Sequence, residues 1–200
     1  NRSRSALESN VKRSIEFFNS QLGILRAQGH GDKREGTKSK LNKDPKKFSW
    51  CQNTIKALEQ GRALEFNPNA ATLVTYRPFT QQWAYRDRSL FWSEYLQSKL
   101  FPVQQSSNRV IALSGVGSRN GFTALMCDKL VDRNILEAGV QCFPLKCYES
   151  QKMDVGLFAG DGSGDKIVAS DGITNEGLQL YKNSYSSGAI TKEDLFYYVY

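Results

Sequence analysis

Two stretches hold the side chains best suited to grip a ligand. Gly115-Val-Gly-Ser-Arg-Asn-Gly121 places Ser118, Arg119 and Asn120 between glycines, directly after a run of strand-forming residues. Those three side chains suit phosphate oxygens or base edges: an arginine can grip guanine through two bonds and an asparagine can grip adenine. A phosphate-cradling nucleotide loop is the competing reading. It fails on spacing, since GxGxxG and the Gly-Lys-Ser/Thr ending are both missing and no long helix follows. The second stretch is YRPFTQQWAYRDR, residues 76–88, which packs Arg77, Arg86 and Arg88 among Tyr76, Pro78, Phe79, Trp83 and Tyr85. Rigid planar donors beside an aromatic anchor make either a binding edge or a structural hairpin with surface arginines.

Charge adds a third feature. Residues 1–48 carry 12 Lys+Arg against 5 Asp+Glu, whereas residues 49–200 carry 15 of each, so the whole excess of +7 lies in the first quarter. It is densest over residues 30–48, HGDKREGTKSKLNKDPKKF. A local basic block on a neutral body points to a polyanionic partner, with Lys38, Lys40, Lys43, Lys46 and Lys47 as backbone-holding candidates; a solvated loop is the plain alternative.

Other chemistry finds little footing. His30 is the single histidine, and Cys51, Cys127, Cys142 and Cys147 lack CxxC spacing, which argues against a zinc site and against a disulfide scaffold. Reduced thiols in a cytosolic protein are the expectation. Asp161-Gly-Ser-Gly-Asp165 lacks the twelfth-position ligand of a calcium loop. Asn67-Pro68-Asn69-Ala70 misses the second proline and the aromatic of the amino-methyltransferase tetrad. No nucleophile–histidine pair or carboxylate pair is visible, so binding is favoured over catalysis. No apolar run approaches the roughly 18 residues of a membrane span. The start at Asn1 and the stop in an aromatic run read as a piece of a longer protein.

These residues need elements to hold them. Ser5 and Glu8 read as a capping box opening a helix whose stripe is Leu7, Val11, Ile15, Phe18, Leu22 and Leu25, stopped by Gly29 and Gly31. The basic loop that follows is too polar to fold alone. Ser49–Gln60 reads as a second helix, capped by Ser49 and Gln52, with Trp50, Ile55 and Leu58 inward and Gly61 as its stop. In the central hairpin the turn falls at Thr80–Gln81, and Tyr76, Phe79, Trp83 and Tyr85 are assigned to the core. Ser93–Leu100 is short and helical. RVIALSGV, FTALMC and QCFPLKCY are three strands; Lys129–Ala138 is too mixed to assign. Residues 149–173 are a glycine- and aspartate-rich surface excursion. Thr174–Tyr185 is a helix with Leu178, Tyr181 and Leu180 facing in, and Thr191 caps a last one. The expected fold is mixed α/β (α+β), a strand-rich body at about residues 70–148 between terminal helices. The expected organisation is one domain fragment: a lead-in helix (1–29), basic loop (30–48), core (49–148), excursion (149–173) and helical end (174–200).

Taken together, Trp50, Leu58 and Gly61, then YRPFTQQWAYRDR, Phe101-Pro102, NRVIALSGVGS, FTALMCD and QCFPLKCYE resemble the C-terminal target-recognition domain of type ISP restriction–modification enzymes. ALESNVKRSIEFFNSQ and ITKEDLFYYVY resemble the segments that lead into and close that domain. The resemblance covers nearly the whole chain apart from the basic loop and residues 150–171. It implies a double-stranded DNA partner and a neighbouring adenine amino-methyltransferase in the parent chain. It also implies nuclease and ATP-driven translocase activities there, with S-adenosyl-methionine, ATP and Mg2+ as the parent's cofactors. None of those catalytic motifs occurs here, so no cofactor is expected within this fragment. Base-reading positions do not transfer from the resemblance. Residues alone nominate Arg119 and Asn120 for bases, Ser118 and Arg86 behind them, and Arg77 or Arg88 for backbone. A docking module for the methyltransferase is the second expectation.

Overall fold

The computed structural model describes residues 1–27, 41–90, 97–103, 106–137, 139–151, 166–185 and 189–200. Within these, five α-helices and seven strands form a mixed α/β architecture, with helices at both ends and antiparallel sheets in the middle. The chain divides into two compact units. The first comprises residues 1–73 and 82–94, the second residues 74–81 and 95–200.

The first unit is built on helix α1, Arg4–Ala27. It starts earlier than Ser5 because Ser3 is the cap: its Oγ accepts from the Ala6 N–H at 3.2 Å. Glu8 instead pairs with Arg4 at 2.8 Å. All six residues of the expected stripe are buried, as three- and four-residue spacing on a helix requires. Phe48 and Trp50 close over that stripe: Phe18 lies 5.9 Å from each ring, and the two rings are 4.6 Å apart. Leu41 is buried with them, so the end of the basic stretch packs into this core. Helix α2, Gln52–Glu59, begins after Cys51, whose N–H is held by Thr54 Oγ1 at 2.9 Å. Ser49 and Gln52 therefore do not cap it. Gly61 ends it with φ +64°, a left-handed conformation that suits glycine.

Strands β1 (Ala71–Arg77) and β2 (Thr80–Tyr85) pair as a hairpin. Its connection is Pro78–Phe79, two residues before the expected turn at Thr80–Gln81. Proline supplies the negative φ of the first turn position, and Phe79 takes φ +63° at the second. That position points the Phe79 ring into solvent, so its expected place in the core is corrected. Tyr85 is buried, and Trp83 packs half-buried against the first core.

In the second unit, helix α3 (Gln97–Leu100) precedes a three-stranded antiparallel sheet. Strand β3 (Val110–Leu113) is central, flanked by β4 (Ala124–Cys127) and β5 (Gln141–Pro144). Val110, Ile111 and Ala112 are buried there. The segment QCFPLKCY, expected as one strand, is two. Residues after Leu145 leave the sheet as β6 (Lys146–Gln151), which pairs with β7 (Lys166–Asp171) in a separate ribbon. Buried Asn108 fixes this switch: its amide donates to Leu100 O and Lys146 O at 2.8 Å each, and its Oδ1 accepts from Lys146 N at 3.0 Å. Both ends of the expected surface excursion are thus paired strand; residues 152–165 lie outside the described part. Helix α5 (Lys192–Val199) is capped by Thr191 as expected, and helix α4 (Asn175–Ser184) is capped by Thr174, which the residue pattern places inside the helix. Leu178 and Tyr181 are half-buried, but Leu180 is exposed and does not face in.

Candidate nucleic-acid interface

The β3–β4 connection is the polar site with the most defined geometry. Its neck is closed by Ser114, whose N–H donates to Thr123 O at 2.9 Å while its Oγ accepts from Thr123 N at 3.0 Å. Gly117 (φ +88°) and Gly121 (φ +75°) make the bends that a side-chain-bearing residue would resist. The tip between them is held from outside the loop. Glu137 accepts from Ser118 Oγ at 2.5 Å and from Arg119 N at 2.9 Å. The Ser118 hydroxyl and the backbone N–H groups of Arg119 and Asn120 hold its carboxyl below the ordinary glutamate range.

Convergent donors of this kind form an anion cradle. Here the chain's own carboxylate, Glu137, fills it. Filling the cradle also fixes which groups face out. The Ser118 hydroxyl is committed inward. Arg119 is 93% exposed and touches Glu137 only loosely, Nε to Oε1 at 3.7 Å. Asn120 is exposed beside it. One arginine and one asparagine on a braced tip is a donor–acceptor arrangement that can read base edges.

The other nominated residues are placed as follows. Arg77 is engaged within the second unit, its Nη1 donating to Asp132 at 3.0 Å and its guanidinium lying 4.1 Å over the Tyr76 ring. Arg86 is half-buried and its backbone N–H bonds to Ala70 O at 2.6 Å; Arg88 is exposed. Lys43, Lys46 and Lys47 are exposed on a turn organised by Asp44, whose Oδ1 accepts from Lys46 N at 3.0 Å. Lys38 and Lys40 lie outside the described residues. Ser118, Arg119 and Asn120 are brought together with Glu137, which the residue pattern did not nominate. A lone glutamate in an irregular segment carries no spacing signal toward a loop 17 to 19 residues earlier.

Among the described residues, no group of three His, Cys, Asp or Glu side chains could hold a metal ion, and no helix is long and apolar enough to cross a membrane. The described Cys127 and Cys142 thiols are pushed up to about 11, mainly by burial, so neither is a ready nucleophile.

The full chain, residues 1–200, matches the model of Type ISP C-terminal specificity domains, and it belongs to that family. Similar solved structures include two of Type ISP enzymes and one of a DrdV–DNA complex. The ATP-dependent Type ISP restriction-modification enzyme LlaBIII bound to DNA shares 26% identity at TM-score 0.72, covering 99% of this chain and 11% of that one. The DrdV–DNA complex shares 24% at TM-score 0.79, covering 100% and 17%. A nuclease-deletion mutant of the Type ISP enzyme LlaGI, in complex with a DNA substrate mimic, shares 23% at TM-score 0.68, covering 91% and 16%. The chain therefore spans less than a fifth of each of these proteins. No curated protein matches it.

Proposed function

We propose that this chain recognises a specific double-stranded DNA sequence and thereby directs the adenine amino-methyltransferase and ATP-dependent restriction machinery of its parent chain. The observation that carries the reading is the β3–β4 tip, where Glu137 braces a loop so that Arg119 and Asn120 face outward. Family membership supports it, as do three similar structures described as bound to DNA or a DNA mimic. In this account Arg119 and Asn120 read base edges, and Lys43, Lys46, Lys47 and Arg88 hold the phosphate backbone, with Lys38 and Lys40 assigned the same role. Arg86 is a second choice for base reading. Arg77, tied to Asp132, serves mainly to stiffen the hairpin beside any backbone contact. The fragment itself is not catalytic; S-adenosyl-methionine, ATP and Mg2+ belong to the parent's other parts, and the setting is the cytoplasm.

The test is binding to duplexes selected from a randomised pool, under heparin challenge. Sequence-selective binding that survives heparin supports recognition. Binding that heparin abolishes for all duplexes alike overturns it. Exposed Tyr197, Tyr198 and Val199 on α5 favour a second reading, a docking module for the methyltransferase. The α1 stripe from Leu7 to Leu25 is buried inside its own unit and is not available for such docking. Docking without heparin-resistant binding would select the second reading.

A further inference from the structure

Phe79 is costly where it sits. It is the second residue of a two-residue strand connection, with φ +63° and 95% of its surface exposed. Left-handed backbone is disfavoured for a bulky L-residue, and glycine or asparagine normally fills such a position. The ring recovers nothing by burial. In the chain it stands between half-buried Pro78 and the exposed, polar Thr80 and Gln81. The hairpin beneath it is firmly rooted: Thr75 donates to Leu130 O at 2.7 Å and accepts from Asp132 N at 2.9 Å. Arg77 adds its pair with Asp132 at 3.0 Å, and Pro78 stiffens the approach to the tip. A strained, solvent-facing residue on a rigid support is a sound starting point for a functional hypothesis.

We infer that Phe79 is a wedge that enters the DNA base stack and unstacks one step of the bound duplex. The inference rests on the DNA-recognition reading. Apolar side chains inserted between base steps from a rigid element do this in other DNA-binding proteins. A duplex suits the ring better than a protein surface does. Protein hot spots sit in well-packed, desolvated pockets, whereas this ring projects from the tip between half-buried Pro78 and the polar Thr80 and Gln81. A base stack offers a π face on each side and needs no apolar surround.

Phe79→Gly removes the ring and relieves the backbone, so folding is not at risk. The variant is compared with the wild-type chain on duplexes selected by the wild type, with 2-aminopurine placed at each position in turn. Wild type should brighten one step. Phe79→Gly should melt at a higher temperature, lose that brightening and bind about tenfold more weakly, while keeping the same base preference; Phe79→Leu should restore part of the signal. If Phe79→Gly binds as tightly and brightens the same step, the wedge is wrong and recognition stands. Unchanged duplex binding with lost association to the parent's methyltransferase portion would place the ring at a protein contact, also overturning the wedge. A wild-type chain that shows no heparin-resistant binding to any duplex removes the underlying reading and the wedge with it.

Discussion

Glu137 only accepts hydrogen bonds, and the groups it accepts from decide what the β3–β4 tip can offer a ligand. By taking the Ser118 hydroxyl and the Arg119 and Asn120 N–H groups, it leaves the exposed Arg119 and Asn120 side chains as the groups the tip presents outward. Glu137→Ala removes the one oxygen, Oε2, that accepts from both the Ser118 hydroxyl and the Arg119 N–H. It should lower base preference at the Arg119 position about as much as Arg119→Ala does, leaving non-specific duplex binding unchanged. Arg119→Ala itself should relax preference at one base pair by about 1–3 kcal/mol; competition binding checks both, and uniform weakening on all sequences would contradict a reading role. The carboxyl is held below its ordinary value, so its bracing is complete above the usual glutamate range and is lost as pH falls through the lowered value. Base preference should therefore be flat between roughly pH 6 and 8 and fade only in acid. A change within that neutral window would point to another group. At this scale the glycines around Ser118, Arg119 and Asn120 were legible, because a turn needs residues that bend. Glu137 was not, because a side chain reaching another segment's backbone leaves no periodic trace.

Elements were legible where burial follows a regular spacing. The α1 stripe is the clearest case, since a helix repeats its inward face and nothing else explains six apolar residues so placed. Phe18 is fully buried among the Phe48 and Trp50 rings, and Phe18→Ala should cost about 3–5 kcal/mol by denaturant unfolding. The segment QCFPLKCY hid its break because both halves are strand-like; only the tertiary partner of Asn108 separates them. The same corner holds Gly172, where an added Cβ would lie 1.9 Å from Pro144 O. Gly172→Ala should thus destabilise the chain clearly, and an unchanged melting temperature would mean the ribbon can shift away. The hairpin turn was misplaced by two residues because a phenylalanine at a left-handed turn position violates the local rule that locates turns. Such violations gather at functional positions.

For the molecule as a whole, charge distribution sets how it meets a polyanion. The basic excess lies within residues 1–48, and the described Lys43, Lys46 and Lys47 are exposed. If roughly six phosphates are neutralised, affinity should fall on the order of 10³-fold between 50 and 200 mM salt. Replacing Lys43, Lys46 and Lys47 by Gln should flatten that dependence without altering base preference; an unchanged slope would remove this turn from the interface. Fold class was legible from the order of helical and strand-like stretches, whereas the division into two compact units was not, since the hairpin residues belong partly to each. The most direct measurement replaces the specificity domain of a Type ISP enzyme with this chain and maps methylated adenines in cells. The account predicts that the hybrid marks a different sequence, set by the grafted chain. An active hybrid that still marks the recipient's original site would contradict it.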